Sequence, residues 1–345
     1  MIKLGSVSLF LSWKCNFNCR HCGFLCSPER TEKMPYDEAI KYIDAAADSP
    51  DLKMIAYTGG EPFLYLQEMR ELMTYSFNKG FRGGIVTNGF WADDYQKTLS
   101  IISVLQEIGL QELITSFDDY HNEYVPAQNV ANLIKAAGEL NVYSGVNMLV
   151  TKKSRIRRAN AAEYLGLNIE NLVKAKKMWI RESSPLCVGR AKDSYNDEDI
   201  INYGEKELLH NPCPFVVRNS VITPEGSLYA CCGFGDASEQ GPASLMYAGN
   251  AREESLEQLF YNVSNNLMFS IIYLFGPYRL LKMAAAEYAG LVFKERYVSN
   301  CEVCDEIANN PELRSAIGNV LSKMAHMISI RNGGNKDAKT SSLSG

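Results

Sequence analysis

Three cysteines stand close together near the N-terminus, in the run Cys15-Asn-Phe-Asn-Cys19-Arg-His-Cys22. A structural zinc site takes four ligands, and an electron-carrying [4Fe–4S] cluster also takes four cysteines. Three thiolates in one loop therefore predict an iron–sulfur cluster with one iron left open for a further ligand. Zinc or another type of cluster is the alternative that this spacing alone leaves open.

A second motif, Gly59-Gly60-Glu61-Pro62, follows an apolar segment. Two glycines let the backbone approach a small ligand where a side chain would collide. Glu61 offers a carboxylate to an ammonium group, and Pro62 suits the first turn of a helix. An ordinary turn before a helix is the alternative interpretation of this motif.

The two motifs together, with the aromatic His21 before the last cysteine, resemble the signature of the radical S-adenosylmethionine (SAM) enzymes. The resemblance implies that Cys15, Cys19 and Cys22 bind a [4Fe–4S] cluster whose open iron chelates SAM. It implies that Gly59–Pro62 hold the amino group of SAM and that His21 belongs to the SAM site. It also implies reductive cleavage of SAM to a 5′-deoxyadenosyl radical, for which we expect an electron donor such as flavodoxin or ferredoxin.

Four later cysteines could close a second site, either a tetrahedral zinc or a fully ligated [4Fe–4S] cluster. They are Cys213, Cys231, Cys301 and Cys304. Their arrangement resembles the auxiliary-cluster domains of radical SAM enzymes that are called twitch and SPASM, and so does the preceding segment 185–191. That resemblance implies a second, auxiliary [4Fe–4S] cluster.

Cys232 is adjacent to one of these ligands but is not needed by the second site. Neighbouring residues of a strand point in opposite directions, so Cys231 could face the metal while Cys232 faces the mouth of the barrel. A thiol there would give a hydrogen atom to a carbon radical, which makes Cys232 the candidate catalytic residue. A small buried side chain is the alternative for Cys232, and a small buried side chain or a pocket wall is favoured for Cys26 and Cys187.

The layout resembles the peptide-modifying branch of the family, and most closely the epimerases that convert L- to D-residues in ribosomally made peptides. The segments that carry this resemblance are 22–28, 58–61, 88–91, 118–121, 147–148, 226–232 and 301–304. In such epimerases an acidic residue a few positions after the first auxiliary-cluster cysteine assists the thiol donor. Cys213-Pro-Phe-Val-Val-Arg218 has no carboxylate at that place, which puts the activation of the donor in doubt.

The resemblance implies a reaction in which a Cα hydrogen of a precursor peptide is removed and Cys232 returns another one to the opposite face. Cross-linking of a peptide through a thioether or carbon–carbon bond is the alternative enzyme class. An iron–sulfur or zinc regulatory protein without catalysis is the alternative outside enzymes.

Composition limits the partners. The chain has 345 residues, 46% of them hydrophobic, and a net charge of −5, so nothing global favours nucleic acid or an anionic membrane. The first residues lack the apolar core of a signal peptide, and Leu267–Phe275 is too short to span a membrane. Ten cysteines without a secretion signal favour metal chemistry in a reducing cytoplasm. The oligomeric state stays open.

Alternating apolar strands and helical segments must position these motifs. Predicted strands are Ser6–Trp13, Lys53–Thr58, Gly84–Thr87, Glu112–Phe117, Tyr143–Val150 and Lys177–Glu182, with helices around Tyr36–Ala47, Leu64–Asn78, Tyr95–Ile108, Pro126–Leu140 and Ala159–Gly166. This alternation predicts an α/β fold with a parallel sheet. Six such units suit the partial (β/α)6 barrel that the resemblance implies.

Polar residues stand at the carboxyl ends of several predicted strands, where parallel sheets bind ligands. Ser116 and Asp118 are candidates to bind the ribose hydroxyls of SAM, and Asn88 and Asn147 are candidates to line the same pocket. Each is a turn or capping residue in the alternative interpretation.

The alternation of strands and helices ends after Glu182. A hairpin is predicted at Phe215–Thr223 and Ser227–Ala230, followed by two or three helices and a last helix around Pro311–Met327. We therefore predict a barrel over residues 1–185, a small α+β auxiliary-cluster domain over 186–331 and a disordered tail over 332–345.

Overall fold

Six short apolar segments form the parallel strands of a sheet in the computed structural model, which describes residues 2–186, 188–195, 198–231 and 241–340. The strands are β1 (Ser6–Phe10), β2 (Met54–Thr58), β3 (Arg82–Val86), β4 (Leu110–Ser116), β5 (Tyr143–Leu149) and β6 (Met178–Ser183). Each pairs in parallel with its predecessor, so their carboxyl ends share one edge. The predicted α/β class is confirmed.

Helices connect these strands, as a parallel sheet requires. They are α1 (Tyr36–Ala47), α2 (Leu66–Asn78), α3 (Tyr95–Glu107), α4 (Ala127–Glu139), α5 (Ala161–Leu165) and α6 (Ile169–Lys174), with a 3-10 turn at Pro62–Tyr65 before α2. Their amphipathic spacing determines the packing: α1 buries Ala39, Tyr42, Ile43 and Ala46, which recur on one helix face. Asp94 begins α3 by accepting a hydrogen bond from the backbone N–H of Lys97 at 2.8 Å.

The predicted hairpin extends the same sheet. β7 (Asn219–Ile222) pairs in parallel with β1, from Ser6 opposite Asn219 to Leu9 opposite Ile222. β8 (Ser227–Tyr229) and β9 (Tyr247–Asn250) follow in antiparallel pairing. The strand order is therefore β6-β5-β4-β3-β2-β1-β7-β8-β9.

Helices form most of the described C-terminal part. They are α7 (Glu205–Leu209), α8 (Leu256–Asn265), α9 (Leu267–Phe275), α10 (Pro277–Glu287), α11 (Asn300–Asn309) and α12 (Pro311–Thr340), with 3-10 turns at Gly189–Asp193 and Gly241–Ala243. Gly276 ends α9 with a φ of 84°, and Pro277 begins α10. Within the described ranges, no single helix is both long and apolar enough to cross a membrane, although the pair α9 and α10, bent by 112°, passes on length and composition together.

One hydrophobic core runs from the sheet into the C-terminal helices. It joins Leu9 of β1 and Ile222 of β7 to Leu281 of α10 and Val303 of α11. A smaller core lies under β5 and β6. The division into residues 1–185 and 186–331 stays a prediction. α12 continues to Thr340, into the segment predicted to be disordered, because its helical hydrogen bonding is not interrupted at Asn332.

Candidate functional site

The three N-terminal cysteines lie together on the wall of one cavity of about 340 Å³. The cysteine loop (residues 15–26) leaves the sheet after β1, at the edge where the other parallel strands end. Cys15 and Cys19 are 8% and 9% exposed, and Cys22 is half-buried. Backbone hydrogen bonds from Cys15 to Ser27 and from Cys22 to Cys19 hold the loop in a turn that directs all three residues to the cavity.

Burial makes these thiols unusual. It raises the pKa of Cys15 to about 11 and that of Cys19 to about 12, since neither sulfur loses its proton easily in an apolar wall. Cys22 differs because a hydrogen bond from the thiol of Cys26 lowers its pKa, while the same contact raises the pKa of Cys26. A bound cation offsets the cost of burying thiolates, so this set of donors suits a metal centre.

Gly59 and Gly60 pack directly against the backbone of the cysteine loop. A Cβ atom on Gly60 would lie 2.2 Å from the carbonyl oxygen of Lys14, and one on Gly59 would lie 2.7 Å from that of Ser12. Gly59 also has a φ of 147°. The N–H of Gly60 donates to Ser12 O at 2.7 Å. The glycine pair therefore permits a close approach to the loop, and both residues line the cavity.

Glu61 is directed away from the cavity. Its side chain is buried, and it accepts hydrogen bonds from the backbone N–H groups of Phe63 (3.0 Å) and Asn88 (2.7 Å) and from Thr87 Oγ1 (2.7 Å). Burial raises the pKa of Glu61 to about 7 despite these three donors. The carboxylate caps the 3-10 turn that Pro62 begins and ties the end of β2 to the end of β3. Neither Glu61 nor Pro62 is among the cavity-lining residues, so their assignment to SAM binding stays a prediction.

Asp118 makes similar contacts two strands along the sheet, and it also lines the cavity. Its Oδ1 accepts from the backbone N–H groups of Tyr120 (3.0 Å) and His121 (2.9 Å), and its Oδ2 accepts from that of Leu149 (2.9 Å). Although burial opposes it, the charge of His121 holds the pKa of Asp118 at about 2. The carboxylate thus joins the ends of β4 and β5 and has its acceptor sites engaged, which leaves the predicted ribose contact as a prediction.

The remaining predicted SAM-site residues line the cavity. Asn88 Nδ2 donates to Asn16 Oδ1 at 2.9 Å and lies 3.8 Å from the sulfur of Cys15. Asn147 Oδ1 accepts from Arg181 at 3.2 Å. His21 and Ser116 complete this set. Burial lowers the pKa of His21 to about 3, and its Nδ1 has no hydrogen-bond partner among the described residues.

Residues 11–171, which contain all of these motifs, match the model of the Radical SAM superfamily. This part, just under half of the chain, is therefore similar to the domains of that superfamily. The match begins just before the cysteine loop and ends after β5. The family implies a [4Fe–4S] cluster and SAM as cofactors.

Three known proteins illustrate the similarity. The putative peptide biosynthesis protein YydG of Bacillus subtilis (strain 168) is 25% identical over 316 residues, which cover 89% of this chain and 93% of YydG. The tungsten-containing aldehyde ferredoxin oxidoreductase cofactor-modifying protein of Pyrococcus furiosus is 27% identical over 172 residues, covering 46% of this chain and 47% of that protein. The structure of native anSMEcpe with bound AdoMet and Cp18Cys peptide aligns with a TM-score of 0.50 at 14% identity and covers 92% of this chain and 99% of its own. This last likeness concerns the fold.

The radical SAM cofactors fit the residues present. Three buried thiols form one wall of the cavity, and the missing side chains of Gly59 and Gly60 keep it open beside them. The unpartnered Nδ1 of His21 and the hydroxyl of Ser116 add polar groups for a polar ligand. Cys15, Cys19 and Cys22 are the residues that would hold the cluster, with SAM next to the strand ends.

Sequence reasoning missed Arg190, which lines this cavity. Cys26, for which the sequence favoured a small buried side chain or a pocket wall, also lines the cavity, and so does His121, which sequence reasoning did not assign to SAM. His121 lies with His21 and Cys19 so that one ligand atom of each falls within 4.8 Å of the others. Only the aspartate–histidine spacing at positions 118 and 121 could have indicated His121 from sequence. Arg190 had no comparable signal because it contacts the loop from 170 residues away.

Three of the later cysteines also come together. Burial raises the pKa of Cys304, and the nearby thiols of Cys301 and Cys213 raise it further. Cys301 and Cys304 lie in the first turns of α11, where Ser299 accepts a hydrogen bond from the N–H of Cys301 at 3.2 Å. The N–H of Cys213 donates to Ile272 O at 3.1 Å, which places this residue beside α9. Cys231 follows β8 and is half-buried.

Two residues of the sequence predictions lie outside the described ranges. They are Cys232, the candidate catalytic residue, and Cys187. The second cluster, the twitch or SPASM assignment and the ligand roles of the four later cysteines therefore stay predictions.

Proposed function

We propose that this protein is a radical SAM peptide epimerase, which converts L- to D-residues in a ribosomally made precursor peptide. The observation that carries the proposal is the similarity to the putative peptide biosynthesis protein YydG, which extends over 89% of the chain. The segments 226–232 and 301–304, which carry the epimerase resemblance, contain cysteines of the second group.

The chain's own residues would divide the work as follows. Cys15, Cys19 and Cys22 hold the cluster, and Gly59 and Gly60 leave room for SAM beside it. Glu61 and Asp118 hold the strand ends together, Glu61 from outside the cavity and Asp118 from its wall. When bound, the cluster and SAM supply the electron and the 5′-deoxyadenosyl radical that removes the Cα hydrogen of a peptide residue.

Cys232 would then return a hydrogen atom to the opposite face of the planar Cα carbon. The Cα–H bond forms as the S–H bond of Cys232 breaks, which leaves a thiyl radical on the cysteine. One electron from a flavodoxin- or ferredoxin-type donor and one proton from solvent restore the thiol. We propose that an auxiliary [4Fe–4S] cluster on Cys213, Cys231, Cys301 and Cys304 carries that electron.

Incubation in deuterium oxide tests whether the new Cα hydrogen comes from a group that exchanges with solvent. The reconstituted protein is incubated in D2O with SAM, dithionite and the candidate precursor peptides encoded beside its gene. An epimerised product contains a D-residue and gains one deuterium at its Cα atom. A D-residue without deuterium, or no D-residue with any of these peptides, would sink the proposal.

Replacement of Cys232 separates epimerisation from cross-linking. Cys232→Ala should stop formation of the D-residue while SAM cleavage continues. A cross-linking enzyme needs no thiol donor and gives a product that has lost two hydrogens, so the same variant would retain its activity. Loss of two hydrogens by the wild-type product therefore contradicts epimerisation.

A further inference from the structure

A segment from the second half of the chain covers the cysteine loop. This bridging segment (residues 188–195) contains the 3-10 turn Gly189–Asp193 and follows β6. Gly189 has a φ of 53°, and a Cβ atom there would lie 2.6 Å from the carbonyl oxygen of Cys22 and 2.7 Å from that of Gly23. Only a glycine at position 189 allows the two backbones to approach this closely.

Arg190 makes most of the polar contacts between the two segments. Its backbone N–H donates to Cys22 O at 3.2 Å, its Nε donates to Cys19 O at 2.8 Å, and one terminal nitrogen donates to Cys26 O at 2.6 Å. Ser194 Oγ adds a bond to Arg20 O at 2.8 Å. One planar guanidinium thus bridges two turns of the cysteine loop, a geometry that suits arginine and not lysine.

The guanidinium charge remains close to the sulfurs. Its partners in the loop are carbonyl oxygens, and among the described residues Arg190 forms no salt bridge with a carboxylate. Arg190 also lines the cavity. The bonds of its guanidinium to the carbonyls of Cys19 and Cys26 place its charge on the cavity wall that the three cysteines share. A cation at this place stabilises the more negative, reduced state of a cluster bound to these cysteines.

We propose that Arg190 is a positioning residue for the radical SAM cluster, which holds the cysteine loop closed and raises the reduction potential of the cluster through its charge. The second half of the chain thereby controls the stability and potential of a centre whose ligands all lie in the first 22 residues. The inference applies to an epimerase and a cross-linking enzyme alike, because it concerns the cluster and not the peptide.

Two substitutions separate the charge from the bridge. Arg190→Gln removes the charge, and Arg190→Lys keeps the charge but loses the planar fork. The full-length reconstituted variants are titrated with reductant while the electron paramagnetic resonance (EPR) signal that responds to added SAM is recorded. We expect a more negative midpoint potential for Arg190→Gln and a nearly unchanged one for Arg190→Lys.

Loss of the bridge is measured separately, as decay of the same SAM-responsive signal in the presence of an iron chelator. Both variants should lose this signal about fivefold faster than the wild type, because the paired guanidinium bonds to Cys19 O and Cys26 O are gone. Gly189→Ala gives a second route, since its Cβ atom forces the bridging segment off the loop with the arginine still present. Arg82→Gln is the matched control, because Arg82 begins β3 at the opposite end of the sheet.

The proposal is overturned if Arg190→Gln keeps the wild-type potential, or if both Arg190 variants lose the signal no faster than Arg82→Gln. Circular dichroism of each variant establishes that it is folded, and Gly189→Ala serves if Arg190→Gln is not. These measurements use no peptide, so failure of the epimerase proposal leaves their outcome unaffected.

Discussion

The carboxylate of Asp118 lies across the ring nitrogen Nδ1 of His121, with each of its oxygens 2.9 Å from that atom. A carboxylate only accepts hydrogen bonds, so Nδ1 carries the proton and the opposite nitrogen of the ring remains for the cavity. Although burial opposes it, Asp118 raises the pKa of His121. The pair connects the strand ends of β4 and β5 to the wall beside the cysteines.

We expect Asp118→Asn to weaken this connection. The amide nitrogen of asparagine would face backbone N–H groups that now donate to a carboxylate, and bonds to a charged acceptor each contribute about 1.5–3 kcal/mol. The unfolding free energy should fall by roughly that amount, and SAM should bind more weakly because the cavity wall is displaced. Thermal unfolding and equilibrium SAM binding check both effects.

Asp93→Asn is the control for this substitution. Asp93 forms an exposed pair with Lys97 at the start of α3, and such pairs contribute little to stability. A variant Asp118→Asn as stable as Asp93→Asn would contradict the structural role of Asp118.

Gly60→Ala should disrupt the cysteine loop. Its Cβ atom would lie 2.2 Å from Lys14 O, a backbone atom that moves only if the loop moves. We expect reconstituted Gly60→Ala to bind less iron and to lose most SAM cleavage. Gly138→Ala in α4 is matched to it, because no atom lies within 4 Å of that Cβ position and alanine favours a helix by about 0.5–1 kcal/mol. Equal iron content in the two variants would refute the close approach at Gly60.

Local patterns predicted the elements of the first half closely. α1 was predicted at Tyr36–Ala47 and has those bounds, because Ala39, Tyr42, Ile43 and Ala46 recur at helical spacing. α6 was missed because it has only six residues, Ile169–Lys174, of which only Ile169 is fully buried. The pairing of β7 with β1 was also missed, since residues more than 200 positions apart leave no signal in either segment.

The site shows the same limit. Residue types and spacing identified the three cysteines and the two glycines, which do line one cavity. They gave no indication that Glu61 and Asp118 point at backbone N–H groups of the adjacent strand, because side-chain direction at a strand end depends on the neighbouring strand. Arg190 contacts the loop through backbone carbonyl oxygens, which every residue has. No residue type in the loop could therefore indicate this contact.

Glu61→Gln distinguishes two roles for this residue. If the carboxylate ties β2 to β3, as its three hydrogen bonds indicate, the unfolding free energy should fall by about 1–3 kcal/mol. If Glu61 instead binds the ammonium group of SAM, affinity should fall while stability stays near that of the wild type. Glu71→Gln, at an exposed position on α2, is the control that shows the effect of removing one negative charge.

Replacement of single cysteines should show that the protein holds its iron at two separate sites. Cys19→Ala and Cys304→Ala should each lose about four iron atoms per chain, the content of one cluster. Cys304→Ala should still cleave SAM with dithionite, whereas Cys19→Ala should not. If Cys304→Ala retained all the iron of the wild type, the prediction of an auxiliary cluster would be wrong.

The most direct test of the account is whether this cavity cleaves SAM. The anaerobically reconstituted protein is mixed with SAM and dithionite, and 5′-deoxyadenosine and methionine are quantified by liquid chromatography and mass spectrometry. We predict that both products form in equal amounts with the wild type and are absent with Cys19→Ala. Intact SAM in the presence of wild-type protein that carries its full complement of iron would contradict the central claim.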